Sequence, residues 1–302
     1  MSGITQYFIG ELWINFGGTG GTAIRLPMLQ GSSFSCPENF DSLDIIANDA
    51  SDINYTMGLR YPVIQAQVAI TKEWLTAANL NAWFGLPLSA RSSPFWDVAS
   101  IGTVTYVTGM YSGATPVAWD ITNAKISVLS LGCSATGAVG DARLEIMGTN
   151  VVTNATFAST AAPFLSAAAR SNNMSHNWPN NPTRWDLTLT NNLSMNDEIP
   201  THVDLTTAFE APLEFNAGRF QASGSLQMQR HHITSATPVD GVPVTIDIKA
   251  PGALTPVHLQ IINPLYQGRY GDSAQRGRKK GQLSFVAKGV EGGTGGSPII
   301  IT

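Results

Sequence analysis

Two stretches of this chain share one outline: a strand breaks off into a long acidic segment and a strand then resumes. That outline restricts the fold more than any other feature. In the clearer case, Trp185-Asp-Leu-Thr-Leu-Thr-Asn alternates large apolar with polar residues, the period-2 signature of a half-buried strand. Asn191-Asn192 interrupts the alternation. The segment Ser194 to Glu214 then carries Asp197, Glu198, Asp204, Glu210 and Glu214 without a Lys or Arg. Pro200 and Pro212 exclude a continuous helix there, since proline removes a helical donor and clashes with the preceding turn. From Phe220 the alternation returns, with Phe220, Ala222, Gly224, Leu226 and Met228 on one face. The pattern predicts a strand, a projecting hairpin at 194–218 and a returning strand.

The segment Phe34 to Ile70 has the same order of landmarks. Asn39-Phe40 stands where Asn192-Leu193 stands, and Asp41, Asp44, Asp49 and Asp52 make a second acidic, Lys-free excursion, a hairpin at 41–57. Farther along, Asn123-Ala-Lys-Ile-Ser-Val-Leu-Ser and Asp141-Ala-Arg-Leu-Glu-Ile-Met-Gly match Thr255 to Asn263 and Lys280 to Gly289. Four landmarks recurring in one order suggest one structural unit used twice.

The residues Trp185-Asp-Leu-Thr-Leu-Thr-Asn-Asn-Leu, the excursion after them, and Gly218-Arg-Phe-Gln-Ala-Ser-Gly-Ser-Leu-Gln-Met resemble the phage tail tube family. Gly281-Gln-Leu-Ser-Phe-Val-Ala-Lys-Gly resembles the closing strand of that fold. The likeness covers 183–290 more fully than 20–150. It implies a non-catalytic virion protein that self-assembles into stacked rings, with no cofactor. It also implies tape-measure protein and tail terminator or baseplate proteins as partners, and DNA that passes without sequence-specific binding. With two units per chain, a ring would be trimeric and pseudo-hexameric.

Composition agrees with a subunit covered on several sides. Charged residues make up 13% of the 302-residue chain and hydrophobic ones 43%, and a charged share of roughly 25% is usual. The net charge of −4 and pI near 5.7 argue against strong nucleic-acid binding by phosphate neutralisation. Cys36 and Cys133 are too few for a disulfide framework or a cysteine-rich zinc site. The opening Met-Ser-Gly-Ile-Thr-Gln-Tyr lacks the basic and apolar regions of an export signal. Assembly in a host cytoplasm and residence in the virion, with no membrane contact, is the expectation.

Residues 1–16 read either as an arm held off by the Gly17–Gly21 run or as a first core strand. Thr76 is a suitable N-cap, with Leu75 and Leu80 as a hydrophobic staple and Gly85 and Pro87 as the stop, so a short helix is expected over 77–84. A second helix is expected over 161–170, in a connector rich in turn residues.

Chemistry-bearing patterns are sparse. The five histidines lack a helical zinc spacing, and His231-His232 would point to opposite faces of a strand. No Gly-x-Ser-x-Gly elbow occurs in a strand-to-helix setting. The pairs Asp197 and Glu198, or Asp44 and Asp49, have the residue types of a glycosidase but no aromatic cleft beside them in the sequence. Arg269, Arg276, Arg278, Lys279 and Lys280 form the single basic cluster, in a Gly-rich segment read as a loop. It can meet nucleic acid, the acidic excursions of a neighbouring copy, or solvent.

The expected architecture is mainly β: two tandem β-sandwich or half-barrel, tail-tube-like domains at 1–150 and 183–302. They carry long projecting hairpins and one or two short helices, and are joined by a connector at 151–182. The candidate subunit and ring interface comprises Asp41, Asp44, Asp49, Asp52, Asp197, Glu198, Asp204, Glu210 and the five basic residues. The alternative is a carbohydrate- or receptor-binding β-sandwich virion protein using Trp96, Trp119 and Trp178.

Overall fold

A computed structural model describes residues 7–15, 23–36, 38–43, 54–84, 101–111, 117–133, 140–155, 167–179, 182–194, 201–203, 210–212, 215–217, 220–229, 238–267, 273–275, 278–287 and 297–302. The first half contains β1 (Tyr7–Asn15), β2 (Ala23–Pro27), β3 (Ser33–Ser35), β4 (Glu38–Leu43), β5 (Asn54–Arg60) and β6 (Val63–Ala69). After helix α1 (Ala77–Trp83) come β7 (Val104–Tyr111), β8 (Val117–Thr122), β9 (Lys125–Cys133), β10 (Asp141–Met147) and β11 (Asn150–Thr153). The second half opens with β12 (Met174–His176), β13 (Arg184–Thr190), β14 (Leu193–Ser194), β15 (Thr201–Val203), β16 (Glu210–Pro212) and β17 (Asn216–Ala217). It continues with β18 (Gln221–Gln229), β19 (Val244–Ile248), β20 (Val257–Ile261), β21 (Pro264–Gln267), β22 (Ser273–Gln275), β23 (Arg278–Ala287) and β24 (Ile299–Ile301). The protein is mainly β.

One large antiparallel sheet runs β21-β23-β18-β13-β9-β10-β6-β3, with β22 also on β23. Its strands from the first half follow the order β3-β6-β10-β9, and those from the second half follow β13-β18-β23-β21. The β9–β13 pair joins the two sets. Each half adds a smaller sheet, β11-β8-β7-β1-β2 in the first and β12-β19-β20-β24 in the second. In both halves a strand of the small sheet turns into the large one at a left-handed Asn. Asn123 (φ 48°) links β8 to β9, and Asn263 (φ 51°) links β20 to β21. Asn tolerates this conformation better than most residues because its short polar side chain bonds locally.

Alternation decides which face of the large sheet is covered. Ile64, Leu129, Leu144, Leu187, Leu189, Leu226 and Leu283 are essentially inaccessible, while their strand neighbours are half-buried or exposed. The small sheets cover that apolar face. Phe34 of β3 stacks on Trp119 of β8 at 5.2 Å, and Trp178 lies 5.9 Å from Phe285 of β23 while donating Nε1–H to the Tyr266 hydroxyl at 3.0 Å. Gly224 faces the same core. A Cβ there would sit 2.1 Å from the Asp186 carbonyl and 2.7 Å from the Phe285 ring, so only glycine lets that ring lie across β18.

Helix α1 forms as its sequence predicts: Thr76 Oγ1 accepts from Asn79 N–H at 3.1 Å, and Leu80 and Trp83 are buried. Its position is not readable from sequence. Phe84 packs 5.5 Å from Phe220 of the second half, and Asn81 Nδ2 donates to the Ile301 carbonyl of β24 at 3.2 Å. The helix thereby covers an edge strand of the second small sheet, a common way of blocking an open edge.

Several expectations need correction. Tyr7–Asn15 is a strand between β2 and β7 with Leu12 and Ile14 fully buried, so the arm reading does not hold for these residues. The apolar terminus 298–302 pairs with β20 of its own chain. In the expected helix at 161–170, residues 161–166 lie outside the described residues. The described remainder is extended: Ala169 N–H donates to Ile70 O, and Ala169 O accepts from Gly140 N–H. Arg170 then leads into a single 3-10 turn at Ser171–Asn173. The connector is also less separate than its composition suggests, because β11 pairs with β8 and β12 with β19.

Candidate assembly surfaces

The outward face of the large sheet is mainly polar, and its charges in the rows below are Arg143, Asp141, Asp186 and Glu145. One row of directly opposed residues crosses seven strands as Gln67, Arg143, Ser130, Thr188, Ser223, Val286 and Leu265. The adjacent row reads Asp141, Gly132, Asp186, Ser225, Ser284 and Gln267. On the other side lie Ser33, Gln65, Glu145, Val128, Thr190 and Gln221. Cross-strand bonds hold these side chains in place. The Ser130 and Thr188 hydroxyls are 2.9 Å apart, and the Asp186 carboxylate accepts from both the Ser225 hydroxyl and, at 3.1 Å, the Ser225 N–H. A wide wall of Ser, Thr and Gln offers water good partners, and its few charges are of both signs.

The strands of this wall have chemically different ends. β5 feeds the start of β6, and β16 and β17 precede the start of β18, so both acidic excursions leave from one end of the sheet. They meet there. β4 and β5 form one hairpin, β15 and β16 the other, and β16 pairs parallel with β5 through Glu210 and Leu59. The result is a four-stranded blade, β15-β16-β5-β4, built from both halves of the chain. At the opposite end, Arg278, Lys279 and Lys280 open β23 and pair with β22. The segment read as a basic loop is therefore partly a hairpin, which the sequence concealed because its residues have weak strand propensity.

The blade is anchored at its root by buried polar contacts. Pairing of β10 with β9 shifts at Ser127, leaving a bulge. Asn191, fully buried, fills it: its N–H donates to Ser127 O at 2.9 Å and its Nδ2 to Ile126 O at 2.7 Å. Next to it the Lys125 ammonium donates to the Phe215 carbonyl at 3.2 Å, and the Phe215 ring meets Tyr61 edge-on at 6.2 Å. Tyr61 follows the first hairpin and Phe215 the second, so one contact ties both roots. Sequence reading marked Asn191 as a strand interruption and missed Lys125 altogether. Its single signal was a lysine in an otherwise apolar strand opening.

Of the candidate interface residues, Asp41 lies on β4, Glu210 on β16, and Arg278, Lys279 and Lys280 on β23. Asp44, Asp49, Asp52, Asp197, Glu198, Asp204, Arg269 and Arg276 lie outside the described residues, as do both carboxylate pairs weighed for catalysis. Trp178 is 3% exposed and Trp119 is half-buried in an aromatic stack, so neither offers an open sugar platform; Trp96 lies outside the described residues.

Cys36 and Cys133 are not joined in a disulfide, and Cys36 Sγ accepts from Arg60 Nε–H at 3.2 Å. Burial, with the Asp141 carboxylate adding, pushes the Cys133 thiol above its ordinary range, which keeps it protonated and a poor nucleophile. Among the described residues no three His, Cys, Asp or Glu side chains are grouped to hold a metal ion, and no helix is long and apolar enough to cross a membrane. No family model matches the chain, and no curated protein matches it significantly in sequence.

Proposed function

We propose that this chain is a structural, non-catalytic subunit of a phage tail tube, located in the virion, in which the polar face of the large sheet lines the channel. The observation that carries the reading is the repeated strand order, β3-β6-β10-β9 followed by β13-β18-β23-β21, within one continuous antiparallel sheet. A chain in which one four-strand set already pairs edge to edge with a second is built to continue that pairing to the next copy. Three copies would close a pseudo-sixfold ring. Such a wall suits passage of DNA, since a Ser-, Thr- and Gln-rich face with few cations gives phosphates little to bind. Tape-measure protein and tail terminator or baseplate proteins are the expected partners beyond further copies of the chain.

A carbohydrate- or receptor-binding virion protein is the second reading. It has less support, because Trp178 is packed into the core and Trp119 into an aromatic stack. Negative-stain electron microscopy of concentrated protein, with class averages tested for symmetry, separates the two. Rings of threefold or pseudo-sixfold symmetry, alone or stacked into tubes, are expected. Uniform small particles without rings across a range of salt would overturn the tube reading.

A further inference from the structure

The feet of the two hairpins are far apart in the large sheet yet meet at its end. The first hairpin closes at Tyr61, just before β6, and the second at Phe215, six residues before Gln221 opens β18. In the sheet, β6 and β18 are separated by β10, β9 and β13, a distance of about 19 Å at the usual strand spacing. The Tyr61 and Phe215 rings nevertheless meet edge-on at 6.2 Å. An extended segment from Phe215 to Gln221 spans about 20 Å, so this foot has the length to cross the ends of β13 and β9. Lys125 opens β9, the middle strand of that crossing, and its Nζ donates to the Phe215 carbonyl at 3.2 Å. Lys125 and Phe215 are both buried, but neither belongs to the connected core between the sheets. Their contact is a separate packing centre at the blade root.

We propose that Lys125 is the positioning residue of the blade: it draws the foot of the second hairpin across the end of the sheet onto the first, and so brings β16 beside β5. This goes beyond the tube reading and holds for a single copy of the chain. The other contacts at the root do not set this direction. Asn191 bonds to carbonyls of the adjacent strand β9 and fixes where the chain leaves β13, ahead of the hairpin. The β16–β5 pairing joins the hairpins to each other rather than to the body. Burial of the two rings is non-directional, whereas the bond from the ammonium to the carbonyl constrains both distance and angle. In this role the buried charge selects one arrangement and adds little to global stability, because desolvation offsets much of what the bond contributes.

The test is amide hydrogen exchange, read by mass spectrometry on dilute, unassembled full-length protein, for wild type, Lys125→Met and Lys125→Arg, beside urea unfolding of each. Methionine keeps an unbranched apolar stem and removes the donor; arginine keeps a cationic donor. In Lys125→Met the amides of β5 and β16 are expected to exchange about tenfold faster or more, as a locally released element does, while β10, β13 and the urea midpoint stay as in wild type. Lys125→Arg is expected to restore slow exchange in β5 and β16. Wild-type exchange in the blade of Lys125→Met would overturn the proposal, as would blade exchange in Lys125→Arg as fast as in Lys125→Met. Faster exchange spread over β10 and β13 with a lower urea midpoint, or failure of Lys125→Met to fold, would also overturn it, because Lys125 would then support the body of the protein rather than position the blade.

Discussion

At the residue scale, single side chains settle where the chain leaves the sheet. Asn191 supplies two donors to a bulge whose carbonyls would otherwise be buried without partners. Its Oδ1, inaccessible to solvent, meets no donor among the described residues. Replacing Asn191 with Ala should cost about 1–3 kcal/mol, the usual penalty for orphaning a buried carbonyl, read as a lower midpoint in urea unfolding. Gly224→Ala should destabilise by a similar or greater amount, because the added methyl meets backbone and a core ring with no room to yield. His176 predicts a pH effect. Burial lowers its pKa below 6.5, so the folded chain holds that proton less tightly than the unfolded one. Its contribution to stability is therefore complete above about pH 6.5 and declines as pH falls through that value towards the folded-state pKa. His176→Gln should flatten this part of a stability-versus-pH curve measured by chemical denaturation.

At the element scale, helix α1 and the blade have different origins. The helix is specified locally by Thr76, Leu75 and Leu80, and Thr76→Ala should cost about 1 kcal/mol by loss of the N-cap. Its purpose is tertiary: Phe84→Ala should cost about 3–5 kcal/mol by opening a cavity against Phe220 of the other half. Comparing the two variants by thermal unfolding separates propensity from packing. The blade was legible as two acidic, Lys-free excursions, the second barred from a continuous helix by Pro200 and Pro212. Their union was not legible. A parallel pairing between residues 59 and 210 leaves no local signal, because strand partners far apart in sequence are chosen by what the sheet brings together.

At the scale of the whole molecule, the buried residues of both halves form one connected core, and β9–β13 pairing, α1 and β24 all bridge the halves. Calorimetry should accordingly show one cooperative unfolding transition rather than two, with the calorimetric and van't Hoff enthalpies in agreement. Two resolved transitions would mean that the halves unfold as independent domains despite the shared sheet.

Period-2 alternation, as in Trp185 to Asn191 and Phe220 to Met228, determined by itself that the chain is mainly β and which face of each strand is apolar, because alternate side chains leave a strand on opposite sides. Local chemistry likewise determined α1 and the break in the strand at Asn191-Asn192. Tertiary structure alone decided the rest. It put the strands into an eight-strand order, made β1 an interior strand of one small sheet and β24 an edge strand of the other instead of loose termini, and turned part of the basic loop into a hairpin. The physical reason is that sheet neighbours are fixed by long-range hydrogen bonding and by burial of a shared face. No window of sequence records which distant strand will supply the missing donors and acceptors.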